Sequence, residues 1–413
     1  MHRLFRLLPI CALAALVYVW FPQASPAQAL IYVPDGRQIA IVSAESNKPL
    51  DYIDLEETIA ARSPTLSPDG TRLYVISLLF REVIGIDTTS HMVVNRIPVP
   101  SDLVSTAITP DGKRLYATAA LSVRDDLCRE LDECAAIAAI DIATNRVESW
   151  IRVPTILISA IAITPDGSRA YVTDGWGDGR SVWVLDTLHD RIVAQVPVGR
   201  NPNHVAITPD GSRAYVFNAG DGTTSVIDTA SNTVATTIPS PRLDRLAFTP
   251  DGKRGYAIAS NSSVAVIDVP SNNLVATVMV NAPETIAITP DGSRAFVHHN
   301  ELYMAEIDTG SNRVVRDLFE GGLEGRTMAM SPTPLDLYVV NDKTSTVSVV
   351  GASSDEVAGS IGHPTSDSFW PCRPLPIISR IVVPVTGDEQ LTKIKRLNKS
   401  GRNSDMRGKT VPA

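Results

Sequence analysis

VAITPDGSRAYV, residues 205–216, is a short apolar run, a Pro-Asp-Gly corner and a second apolar run that carries Tyr215. Proline presets φ for the first corner of a tight turn, aspartate bonds its own backbone two residues on, and glycine takes a positive φ. The flanks are apolar and β-branched, as strands require. The stretch therefore reads as two antiparallel strands joined by a turn. It recurs at 65–75, 107–117, 161–172, 246–257 and 286–297, and in worn form at 328–339, where Ser331-Pro332-Thr333-Pro334 replaces the corner.

Four residues after each corner glycine stands an aromatic: Tyr74, Tyr116, Tyr171, Tyr215, Tyr256 or Phe296. Two residues after it stands Arg72, Arg114, Arg169, Arg213, Arg254 or Arg294. A residue type kept in every repeat serves the repeat. The aromatics are expected to pack between neighbouring units, and the arginines to lie at the surface or pair with nearby carboxylates. A second phrase, SVIDTASN at 225–232, follows each time, around Asp87, Asp141, Asp186, Asp268 and Asp308. Four residues after the aspartate comes His91, Asn145, Asp190, Asn232, Asn272 or Asn312. This reads as a loop between two further strands, with aspartate capping backbone N–H groups and the last residue left-handed. The repeated aspartates are structural, not catalytic.

The corner prolines, Pro68, Pro110, Pro165, Pro209, Pro250, Pro290 and Pro332, are separated by 42, 55, 44, 41, 40 and 42 residues. Four short strands at that period predict an all-β fold, a β-propeller of four-stranded blades. Residues 30–55 supply three strands that lack a first. Their Pro34-Asp35-Gly36 lies too close to Ile41 to be the corner, and falls between the second and third strands. Residues 377–385 resemble the missing first strand. Joined, the two ends predict eight blades with one split between them, which covers both sheet edges. Seven blades is the alternative, with one triplet of strands left outside the ring.

These repeats resemble those of the YVTN-type β-propeller family of bacterial and archaeal surface or periplasmic proteins. Ala170-Tyr171-Val172-Thr173-Asp174 nearly spells the family's name, and the resemblance spans roughly residues 30–362. It implies an extracytoplasmic propeller, in some members a binding module. The family's motif is structural, so it implies no catalytic residue.

Residues 1–29 read as a secretory signal: Arg3 and Arg6, an apolar run at 7–21, then Ala27-Gln28-Ala29 as a small-x-small cleavage site. The apolar run is shorter than the roughly 20 residues of a spanning helix. Cleavage would start the mature chain at Leu30, in the periplasm, at the surface or outside the cell, with no membrane span. The net charge is −8, and losing Arg3 and Arg6 makes it more negative, which argues against nucleic acid as partner. The propeller then occupies 30–386, and 387–413 is a basic, polar tail read as disordered. The one long interval holds an insertion with Cys128 and Cys134, expected to pair in an oxidising compartment. A continuous helix there is the alternative; its rise of about 9 Å over six residues excludes the bond. Cys372 is the odd thiol.

Strand order sorts the loops. Corners and aspartate loops share one face; loops between units, and between second and third strands, share the other. The irregular segments lie on that second face: the cysteine insertion, 174–179, 218–222 and the His298-His299-Asn300-Glu301 loop. Variable loops on a rigid scaffold make it the expected binding face, for a protein, glycan or small-molecule ligand. Alignment on the corner proline sets Arg62/Ser63, Val104/Ser105, Ser159/Ala160, Asn203/His204, Asp244/Arg245, Glu284/Thr285 and Arg326/Thr327 around a channel mouth. Arg62, Asn203, His204, Asp244, Arg245, Glu284 and Arg326 are the candidate ligand-binding residues. Their mixed signs read first as a ring of ion pairs. A further reading has the carboxylates orient the arginines on an anionic ligand. No cofactor is expected; the alternative is Ca²⁺ held by Asn203, Asp244 and Glu284, as in lactonase-like propeller hydrolases. No Ser-His-Asp order, Gly-rich phosphate loop or Gly-x-Ser-x-Gly elbow occurs. A binding module is the expected function. A lactonase-like hydrolase is the alternative, and a redox or quinoprotein-associated propeller the second; neither in-register tryptophans nor CxxCH supports the latter.

Overall fold

The computed structural model describes residues 16–18, 28–362 and 380–385, apart from 36–37, 44–45, 47, 56–61, 78–79, 100–101, 121–134, 156, 176–177, 260–261, 301–302, 320–326, 331–335, 342–345 and 352–356. Every regular element among them is a β-strand. Residues 62–98, 102–153, 158–197, 202–239, 243–279, 283–319 and 327–362 each form one four-stranded antiparallel sheet, blades 1 to 7 in chain order. In blade 4 the strands are Pro202–Ile207, Arg213–Asn218, Thr223–Asp228 and Thr233–Pro239. The middle two are buried along nearly their whole length, whereas the fourth alternates exposed and half-buried residues. Middle strands are covered by a neighbouring blade on each face, so they are buried without alternation, as in Arg213–Asn218 and Thr223–Asp228. Outer strands meet solvent and keep the two-residue period.

First strands of successive blades adjoin from blade 1 to blade 7. The chain ends complete the circuit. Arg380–Val385 pairs antiparallel with Gln28–Asp35, bringing Val383 opposite Leu30 and Ile381 opposite Tyr32. Gln38–Ser43 and Lys48–Asp54 continue that sheet outward. Arg380–Val385 lies against the first strand of blade 7 on one side and of blade 1 on the other. Complete four-stranded sheets thus number seven, the count of the seven-blade alternative; the eighth sheet is composite and drawn from both ends of the chain. Pro34 and Asp35 close the second strand, paired to Ile39 and Gln38 of the third, so the motif sits at that junction as expected; Gly36 lies outside the described residues. Leu16–Tyr18, inside the predicted signal, adds parallel to the free edge of Arg380–Val385. Cys128, Cys134, Cys372 and the tail at 387–413 lie outside the described residues.

The repeated motifs bind one blade to the next. Gly211 has φ +74°, and a Cβ there would approach Pro165 Cδ of the preceding blade to 3.1 Å. Glycine is required both for the turn and for nesting each corner on its neighbour. The tyrosines are fully buried and donate across the same seams. Tyr171, Tyr215 and Tyr256 reach Asn232, Asn272 and Asn312 Oδ1 of the following blade, each at 2.7 Å. Tyr116 reaches Asp190 at 2.7 Å and Tyr74 reaches Asn145 at 3.1 Å. Tyr32, in the composite sheet, bonds the Thr88 carbonyl of blade 1 at 3.2 Å. All the acceptor side chains sit at positive φ, 50° to 55°. Burial pushes the hydroxyls up, to about 12 at Tyr74, Tyr171 and Tyr256, which keeps them protonated donors.

Candidate functional site

On the turn face the acidic groups are committed to the backbone. Asp210 Oδ1 accepts the Thr208 hydroxyl at 2.6 Å and the Ser212 N–H at 3.0 Å. Asp228 Oδ1 accepts the Ser231 N–H and hydroxyl, each at 2.8 Å. Partial desolvation opposes ionisation of Asp210, but the Thr208 and Ser212 bonds outweigh it and hold the carboxyl below its usual range. Asp228 is lowered by its Ser231 bonds. Acceptor sites filled in this way suit a turn, not general acid–base chemistry. Four of the six corner arginines pair with carboxylates: Arg72 with Asp87, Arg114 with Asp190 and Glu148 at 2.8 Å each, Arg254 with Asp268 at 3.5 Å, and Arg294 with Glu306.

The mouth is built differently. Near its start, the first strand of a blade slips against its partner, between Pro202 and His204, between Leu243 and Leu246, and between Pro283 and Thr285. Such a bulge re-aims side chains at a sheet edge. Asn203 and His204 of blade 4, Asp244 and Arg245 of blade 5, and Glu284 of blade 6 occupy these irregular positions on three adjoining strands. Arg62 begins the first strand of blade 1, its side chain outside the described set, and Arg326 is outside it altogether.

His204 sits against Phe217, ring centroids 5.5 Å apart, and feels the charges of Asp244 and Arg245 across the blade seam. Burial pushes its pKa down to about 4; Asp244 works against that shift and Arg245 adds to it. The imidazole is neutral at neutral pH. Its Nε2 and Asn203 Oδ1 are both buried without a hydrogen-bond partner. Asp244 and Arg245 stand 4.0 Å apart, the Asp244 side chain 69 % exposed, too loose to be a fixed ion pair.

Glu284 meets a residue that the ring alignment leaves out. His298 Nδ1 lies 3.7 Å from Glu284 Oε2, and neither ring nitrogen of His298 makes a hydrogen bond. His298 and His299 correct the sequence reading: both belong to the strand Arg294–His299 and are buried, not looped out. Two polar residues closing an apolar run look like the start of a loop, but here His298 pairs with Thr285 inside the sheet. The usable signal is its offset from Tyr or Phe, which puts His298 level with Phe217. His299 is fully engaged, with Asp317 Oδ1 at 2.8 Å, the Asn281 carbonyl at 3.1 Å and a stacked Tyr303.

Among the described residues no group of three or more His, Cys, Asp or Glu side chains gathers as a metal site, and no helix is long and apolar enough to cross a membrane. Asp244 and Glu284 therefore do not converge with a histidine on a common point. The arrangement offers a buried acceptor on Asn203 and unpartnered imidazole nitrogens on His204 and His298 at the mouth.

Solved structures share the fold. Hydrazine synthase from Kuenenia stuttgartiensis matches 70 % of this chain and 95 % of its own at 21 % identity and a TM-score of 0.54. Dihydro-heme d1 dehydrogenase NirN, in complex with DHE, matches 82 % and 74 % at 17 % identity and 0.68. A protein of unknown function from Desulfotomaculum acetoxidans DSM 771 matches 72 % and 96 % at 18 % identity and 0.56. At these identities the likeness is one of fold. No family model and no curated protein matches the chain.

Proposed function

We propose that the chain is an extracytoplasmic β-propeller that works as a binding module, with its ligand at the channel mouth over blades 4, 5 and 6. One observation carries this reading: Asn203 Oδ1 and His204 Nε2 in blade 4, and both nitrogens of His298 in blade 6, are buried without partners. Each such group costs about 1–3 kcal/mol if left unmade, and native structures retain few of them without a purpose. Asp244, Arg245 and Glu284 frame the same place and supply charge at its rim. The YVTN-like repeats and the signal-like residues 1–29 support export, in which case the mature chain begins at Leu30 by mass spectrometry.

The test is a thermal-shift screen of the exported protein against sugars, amino acids and small carboxylates, each with and without Ca²⁺. A ligand present at about 100 times its Kd adds roughly 2.7 kcal/mol of stability. The shift should vanish in Asn203→Ala/His204→Ala and persist in a variant of the turn face. A stabilising ligand indifferent to the mouth substitutions would overturn the reading. Calorimetry with Ca²⁺ on the wild type and on Asp244→Asn/Glu284→Gln separates the lactonase-like alternative: heat that disappears in the double variant would favour it.

A further inference from the structure

We infer that the turn face carries a second ligand site, centred on Arg169, for a carboxylate borne on a small apolar body. The repeat supplies its own controls. Five of the six corner arginines are satisfied within the protein: Arg72, Arg114, Arg254 and Arg294 by carboxylates, and Arg213 by the Val269 carbonyl at 2.6 Å and Asn272 Oδ1 at 2.7 Å. The Arg169 guanidinium, in blade 3, makes no ion pair or hydrogen bond with the described residues, although its backbone is bonded to Thr164.

Local changes account for it. Asp186 is the counterpart of Asp87 and Asp268, which hold Arg72 and Arg254. Its Oδ2 is instead taken by His189 Nδ1 at 2.9 Å, and its Oδ1 by the Leu188 and His189 N–H groups. Val193 stands third in the strand Arg191–Pro197, where Glu148 stands third in Arg146–Val153 and pairs with Arg114. The two other positions from which an acid holds a corner arginine, those of Asp190 for Arg114 and Glu306 for Arg294, are taken around Arg169 by Asn232 and Val184, so no acid restrains it.

At this point a surface crevice of about 370 Å³ opens, lined by Arg169, Asp186, Leu188, His189, Val193 and Asn232. A guanidinium offers a planar fork of donors and no acceptor, and its natural complement is a carboxylate or phosphate held by two parallel bonds. The walls decide between them. Leu188 is 77 % exposed and Val193 43 % exposed, an apolar wall that gains by covering. Asp186, also in the lining, repels a dianion more than a monoanion. The site therefore selects a monocarboxylate with a short hydrocarbon part. His189, when protonated, adds a second positive charge beside it.

Calorimetric titration of the full chain with hexanoate tests the site, with inorganic phosphate as the comparison. Wild type is expected to bind hexanoate in preference to phosphate. Arg169→Gln should weaken hexanoate at least about tenfold, the loss of a charge-assisted bidentate contact. Val193→Glu restores the acid that Glu148 supplies in blade 2, and should weaken hexanoate as much while leaving Tm unchanged or higher. Both substitutions are at the surface, so an unchanged Tm shows that folding is intact. Absence of hexanoate binding in the wild type, equal binding in both variants, or phosphate binding more tightly than hexanoate would each overturn the assignment. None of these outcomes bears on the channel mouth.

Discussion

The Tyr215 hydroxyl and the Asn272 side-chain oxygen meet at 2.7 Å across the seam between blades 4 and 5. Removing that hydroxyl in Tyr215→Phe should cost about 1 kcal/mol, the net worth of one such bond. Asn272→Ala should cost more, because it deprives both Tyr215 and Arg213 of an acceptor and leaves alanine at φ +55°, itself about 1–2 kcal/mol. Urea denaturation of both variants and the double variant measures the coupling; additive effects would mean that the contact is not an interaction. His204 gives a pH signature. Its folded pKa is pushed down to about 4 by burial, opposed by Asp244 and reinforced by Arg245, whereas unfolded histidine titrates near about 6.5. The unfolded chain takes up that proton first. Stability is therefore whole above about pH 6.5 and declines as pH falls toward the folded value, by at most about 1.4 kcal/mol per pH unit. His204→Gln should flatten that limb of the stability profile, and an unaltered slope would place the imidazole in solvent.

At the level of the element, the corner hairpin is set by its own residues. Gly211 turns at φ +74° and packs against Pro165 of the preceding blade. Gly211→Ala should lose about 1–3 kcal/mol through backbone strain and the crowded contact, read as a lower midpoint in denaturant at unchanged slope. Turns, strands and their period were legible because each depends on neighbours a few residues away. The same holds for the aspartate loops, whose bonds span two or three residues. Contacts across seams were legible only in kind. That the aromatics pack between units follows from their repetition, but Tyr215 and Asn272 are 57 residues apart, and nothing local marks them as donor and acceptor. The site was read in part. Proline alignment places Asn203, Asp244 and Glu284 on adjoining strands, yet His298 escapes it, because a buried histidine on a second strand breaks the repeat without announcing where it points.

For the molecule as a whole, the chain ends matter most. Seven sheets are made from consecutive strands, but the eighth takes Arg380–Val385 from one end and Gln28–Asp35 from the other. Arg380–Val385 also adjoins the first strands of blades 1 and 7, so without it Gln28–Asp35 and two blade flanks lose their cover, a liability for any open sheet edge. Leu16–Tyr18 pairs with the same strand from within the predicted signal; its removal on export would leave four strands in the composite sheet, the size of every other blade. A closed ring also holds blades 4, 5 and 6 at fixed spacing and so keeps the mouth residues in register. The most direct test is the melting temperature of a chain ending at Gly362 beside the full-length protein. Closure by the two ends predicts a fall of several degrees in the truncated chain, with loss of amide-exchange protection at those of Leu30, Ile31 and Tyr32 whose N–H faces Arg380–Val385. An unchanged Tm with those amides still protected would contradict it.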